Sequence, residues 1–85
     1  MSVPAVTLYT RVGCHLCDVV KNTLDAALRQ RAFELTIVDI DTDPALVALY
    51  DEEVPVVTIN GRKAFKFRVK PEELHARLDR AEAEG

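Results

Sequence analysis

Ala5-Val6-Thr7-Leu8-Tyr9-Thr10-Arg11-Val12-Gly13-Cys14-His15-Leu16-Cys17 sets two cysteines, three apart, between an apolar run and an amphipathic run. Residues 5–10 are rich in β-branched and aromatic side chains, which favour an extended chain, and Gly13 breaks that run just before the first cysteine. Beyond the pair, Leu16, Val19, Val20, Leu24, Ala27 and Leu28 recur at helical spacing, with Asp18, Lys21, Asn22 and Asp25 largely on the other face. Cys14 therefore falls at the start of a helix. Unpaired amides and the positive end of the helix dipole favour a thiolate over a thiol there. One turn on, Cys17 lies beneath Cys14, close enough to form a disulfide or to resolve a mixed one.

A CxxC pair also serves as half of a zinc site. A closed site, however, needs two further Cys or His ligands at paired spacing, and the chain offers only His15 and the distant His75. Two small residues buried without chemistry would need neither the glycine turn nor the helix start in front of them. The pattern points to a working dithiol with no metal at the site.

Eighty-five residues make one small domain, spanning 1–85, and a chain this short can still build one core without extra staples. The hydrophobic content of 48% supports a globular fold, and the formal net charge of −3, with no basic cluster, argues against a nucleic-acid partner. Met1-Ser2-Val3-Pro4 lacks the charged and apolar regions of a signal peptide, and no run is long enough to cross a bilayer. A cytoplasmic chain with no membrane partner is expected. In a reducing cytosol a lone CxxC is better read as a working dithiol than as a structural disulfide.

The rest of the chain alternates. Phe33–Ile40 reads as a second strand, brought back parallel to the first by the intervening helix through a right-handed crossover. Asp41-Thr42-Asp43-Pro44 then gives a turn and a helix start, with Thr42 or Asp43 as N-cap and Pro44 in the first turn of a short helix through Tyr50. Val54–Ile59, an Asn60-Gly61 turn and Lys63–Phe67 form a hairpin. Pro71-Glu72-Glu73 opens a last helix whose buried stripe is Leu74, Leu78 and Ala81, with the tail from Ala81 to Gly85 expected to fray.

This order, with CxxC at the first strand-to-helix junction, resembles the thioredoxin-like fold in its smallest form, and among its members the glutaredoxins. The resemblance is carried by Leu8 to Cys17 and by Glu53-Val54-Pro55-Val56-Val57, and it covers nearly the whole chain. It implies a minimal α/β glutaredoxin fold, β-α-β-α-β-β-α, with a four-stranded mixed sheet flanked by three helices. It also implies that the Val54–Pro55 bond is cis and flanks Cys14 in space. The Val54 backbone is then left free to pair with an extended substrate such as a peptide or glutathione. Pro55 would further keep metal ions from the thiols. Read from the sequence alone, Pro55 is equally a proline at the first residue of a strand, where its missing N–H costs little.

Arg11 stands where many glutaredoxins carry a lysine or arginine near the glutathione carboxylate and the thiolate; the alternative is a solvated surface arginine. His15, when protonated, would stabilise the thiolate and make the pair more oxidising, or is simply exposed. Asp18 reads as a first-turn charge supporting the helix. Two departures from the glutaredoxin pattern stand out. His15-Leu16 replaces the usual Pro-Tyr or Pro-Phe. Phe67-Arg68-Val69-Lys70-Pro71 occupies the junction where glutaredoxins carry a Gly-Gly pair that admits glutathione.

The implied activity is thiol–disulfide exchange, with Cys14 as nucleophile and Cys17 as resolving thiol, and with Arg11, His15, Val54 and Pro55 contacting substrate. No tightly bound cofactor is expected; glutathione is a candidate co-substrate. The partners would be a disulfide-containing protein or a low-molecular-weight thiol, with glutathione or a reductase as electron donor, acting on a monomer. A glutathione-ligated iron–sulfur carrier, a redox-inactive binding domain and an exported isomerase or oxidase remain as alternatives.

Overall fold

Strand β1 (Ala5–Thr10) lies inside the sheet and organises what surrounds it. The computed structural model describes residues 3–84. Helix α1 (His15–Leu28) follows β1 and returns the chain to β2 (Glu34–Asp39), which pairs parallel to β1 from Ala5 opposite Glu34 to Thr10 opposite Asp39. A 3₁₀ turn at Ile40–Thr42 leads into the short helix α2 (Pro44–Tyr50), and a second 3₁₀ turn, Asp51–Glu53, leads to β3 (Val56–Ile59), β4 (Arg62–Lys66) and α3 (Pro71–Glu84). The sheet order is β2-β1-β3-β4, with β3 antiparallel to both β1 and β4. This is the mixed four-stranded sheet with three helices that the resemblance implied.

Strand alternation sorts side chains between the two faces. Val6 and Leu8 of β1, with Val57 and Ile59 of β3, pack against Val20, Leu24 and Ala27 of α1 and Leu74, Leu78 and Ala81 of α3. Tyr9 and Val56 go the other way, into a second cluster with Ile40, Tyr50 and the α2 residues Leu46 and Val47. Helices α1 and α3 thus cover one face of the sheet and α2 the other. The β2 edge is the thin side of this arrangement, with Ile37 exposed.

Local chemistry explains the boundaries. Asp39 ends β2 by accepting the Asp41 amide at 2.9 Å, so Ile40 enters the 3₁₀ turn instead of the strand. Asp43, not Thr42, caps α2, accepting the Ala45 amide at 2.9 Å with Pro44 behind it. The hairpin turn uses Asn60 at φ 53° and Gly61 at φ 82°, the left-handed pair that matches strand twist.

Four elements differ in their bounds from the reading of the sequence. Strand β2 runs Glu34–Asp39 instead of Phe33–Ile40, since its ladder with β1 begins at the Ala5–Glu34 pair and ends where Ile40 enters the 3₁₀ turn. Strand β3 starts at Val56 instead of Val54, because the β1 ladder ends at the Tyr9–Val56 pair and Pro55 has no N–H to extend it. Strand β4 runs Arg62–Lys66 instead of Lys63–Phe67, since Arg62 pairs with Ile59 directly after the two-residue turn. Helix α3 does not fray from Ala81 but continues to Glu84. Ala81 is buried in the core, and Arg31, beyond the end of α1, binds Asp79 at 2.8 Å, Glu82, and the His75 carbonyl at 3.2 Å. Gly85 lies outside the described residues.

Candidate active site around Cys14 and Cys17

Gly13, at φ 82°, turns the chain out of β1, and the Cys14 amide donates to the Arg11 carbonyl at 3.2 Å. Cys14 is then the N-cap of α1, still extended at φ −84° and ψ 106°. Its sulfur accepts the Cys17 amide at 3.2 Å, the role a serine or aspartate oxygen plays at other helix starts. The two cysteines are joined as a disulfide with their Cα atoms 5.2 Å apart. Cys14 is half-buried, whereas Cys17 is only 3% exposed. Cys14 is therefore the more accessible residue of the pair.

The second cluster forms the floor of this site. It joins Cys17 to Ile40, Tyr50, Val54 and Val56, with Cys14 and Tyr9 packed against it. Val54 and the dithiol are thus brought together, and the Val54–Pro55 bond is cis. The rings of Tyr9 and Tyr50 meet at 4.6 Å between centroids. Burial, helped by Tyr9, raises the pKa of the Tyr50 hydroxyl, so the folded state holds its proton more tightly than the unfolded chain does. That stabilisation is intact below the unfolded pKa and is lost as pH climbs toward the folded one. Melting temperature should therefore fall above about pH 10. Tyr50→Phe should flatten the fall, and identical slopes for the two proteins would contradict this role for burial.

Arg11 is half-buried and already engaged. Its guanidinium grips Asp41 with both prongs, at 2.8 and 3.3 Å, and reaches the Asp51 carboxylate at 3.7 Å. The hydrogen bond and charge of Asp41 raise its pKa further. Arg11 thus ties the thiol loop to both 3₁₀ turns flanking α2. His15 is exposed between the cysteines. Among the described residues, no three His, Cys, Asp or Glu side chains converge to hold a metal ion. No helix among them is long and apolar enough to cross a membrane.

Residues 5–79 match the family model described as Glutaredoxin-like domain (DUF836). This chain belongs to that glutaredoxin-like family. Mycobacterium bovis and Mycobacterium tuberculosis proteins described as uncharacterized are 31% identical to it over 86 residues, covering 95% of this chain and 89% of their own length. A crystal structure from X. campestris shares 38% identity, covers 88% of this chain and 96% of that one, and superposes with a TM-score of 0.72. A solution structure of Nitrosomonas europaea protein Ne2328 has a TM-score of 0.79 at 26% identity, covering 92% and 94% of the two chains. Chloroplastic thioredoxin z, at 15% identity and a TM-score of 0.79 over 96% of this chain and 80% of that one, shows the thioredoxin fold alone.

In this glutaredoxin-like chain the junction after β4 takes an unusual path. Phe67 has φ 70°, its amide donates to the Pro55 carbonyl at 2.8 Å, and the Arg68 amide closes a γ-turn on Lys66 at 2.8 Å. Arg68 and Lys70 are exposed beyond it. Glu53 bridges back to Lys66 at 3.0 Å and to Lys63 at 3.8 Å. The Arg11–Asp41–Asp51 and Glu53–Lys66 links were not readable from the sequence. Their one signal is that residues 39–53 carry six acids and no base, so cations must come from elsewhere in the chain.

Proposed function

We propose that this glutaredoxin-like protein is a thiol–disulfide oxidoreductase in which Cys14 is the nucleophile and Cys17 the resolving thiol. The observation that carries the reading is the asymmetry of the pair: a half-buried Cys14 whose sulfur caps a helix, and a fully buried Cys17 one turn on. The helix-start amide and dipole favour negative charge on the Cys14 sulfur. From the reduced protein, the Cys14 thiolate attacks one sulfur of a substrate disulfide. The substrate S–S bond breaks and the leaving thiolate takes up a proton. Cys17 then loses its proton and attacks Cys14. The second substrate thiol departs, and the protein is left with the Cys14–Cys17 disulfide, having given up two electrons.

Substrate would pair along the Val54 backbone, beside the cluster Val54 shares with the cysteines, while the fully buried Pro55 side chain supports that segment from beneath. Glutathione or a reductase then restores the dithiol. The test is disulfide reduction with glutathione plus its reductase and, in parallel, with NADPH plus thioredoxin reductase. Turnover with either donor is the expected result. Silence with both would favour a binding domain, or a cluster carrier recognised by colour after anaerobic purification.

A further inference from the structure

The two cations that flank the dithiol, Arg11 and Lys66, are both engaged by carboxylates, whereas His15 and Asp18 stay exposed beside the cysteines. Arg11 is held by Asp41 and Asp51, and Lys66 by Glu53, whose carboxyl pKa is lowered by Lys66 and Lys63. Three large apolar side chains also stand exposed on the segments that carry the site. Val12, two residues before Cys14, is 88% exposed, Leu16 between the cysteines 39%, and Phe67, bonded through its amide to Pro55, 40%. Phe67 is also the costliest of these to place, because a bulky residue at φ 70° is strained where glycine would not be. Lys66 lies 5.4 Å above its ring and further fixes it.

We propose that this rim selects disulfides carried in apolar, uncharged polypeptide segments, which pack on Val12, Leu16 and Phe67, over glutathione disulfide. The inference rests on the oxidoreductase reading above. An apolar segment gains by burying surface against the rim. Glutathione carboxylates must shed water beside it while Arg11 and Lys66 are already engaged. Arg68 and Lys70 are the cations an acidic segment would use instead.

Protein reduced with dithiothreitol, then freed of it, is mixed in single turnover with four disulfides. They are hydroxyethyl disulfide as a small neutral reference, glutathione disulfide, a peptide disulfide with Leu and Val beside the cysteine, and the same peptide with Glu there. Oxidation is followed by intact mass and by tyrosine emission, since both tyrosines lie in the cysteine cluster and the chain has no tryptophan. The apolar peptide should react at least about ten-fold faster than glutathione disulfide or the Glu peptide. Phe67→Gly, which suits the local backbone, should bring that ratio toward one, as should Val12→Ser. Asp41→Ala with Asp51→Ala, which removes both carboxylates that hold Arg11, should speed glutathione disulfide several-fold. Equal rates, a faster Glu peptide, or a ratio unmoved by both rim substitutions overturns the proposal. Failure to reduce even hydroxyethyl disulfide overturns the oxidoreductase reading instead.

Discussion

Cys14→Ser should abolish disulfide exchange, lowering the rate on the order of a thousand-fold or more, because a serine hydroxyl is a weak nucleophile without an adjacent base. The fold should survive, since serine is a good N-cap and can accept the Cys17 amide as the sulfur does. Cys17→Ser should behave differently. Its Cys14 still attacks, but nothing behind it resolves the product, so a mixed disulfide at Cys14 accumulates and is read by intact mass. Wild-type Cys17, 3% exposed, should be the slower of the two to alkylate in the reduced protein. Equal reactivity of the two single variants toward an alkylating probe would remove the assignment of roles.

The second large effect is on stability. Leu24 is fully buried at the centre of the α1 face, with Val6, Leu8, Leu74 and Leu78 in the same cluster. Leu24→Ala should cost about 3 kcal/mol, from lost burial and the cavity left behind. For a domain of this size that corresponds to a fall in Tm of roughly 15 °C. Thermal melts of the oxidised protein check it. A fall of only a few degrees would mean that α1 is not held to the sheet mainly through this residue.

The parts of the fold legible in the sequence are those written by local rules. β1 matches its β-branched run residue for residue, Gly13 marks the turn, and Asn60-Gly61 marks the hairpin, because each signal acts within a few residues of its effect. The ends of β2, β3 and β4 differ by one or two residues, since they depend on which backbone group finds a partner across the sheet. The end of α3 was missed for a similar reason: Arg31 holds it from 44 or more residues away in the chain. In the site, the cysteine spacing and the Val54-Pro55 step were readable. The engagement of Arg11 by Asp41, 30 residues on, was not. Nor was the left-handed turn at Phe67, where the residue type argues against the conformation it adopts.

The most direct test mixes reduced protein with one equivalent of a neutral disulfide and maps the product. If Cys14 and Cys17 form a working pair, the protein loses two hydrogens in mass, the substrate is released as two thiols, and digestion recovers a single Cys14–Cys17 cross-linked peptide. A protein that stays reduced, or that stops as a stable adduct on Cys17, would contradict it.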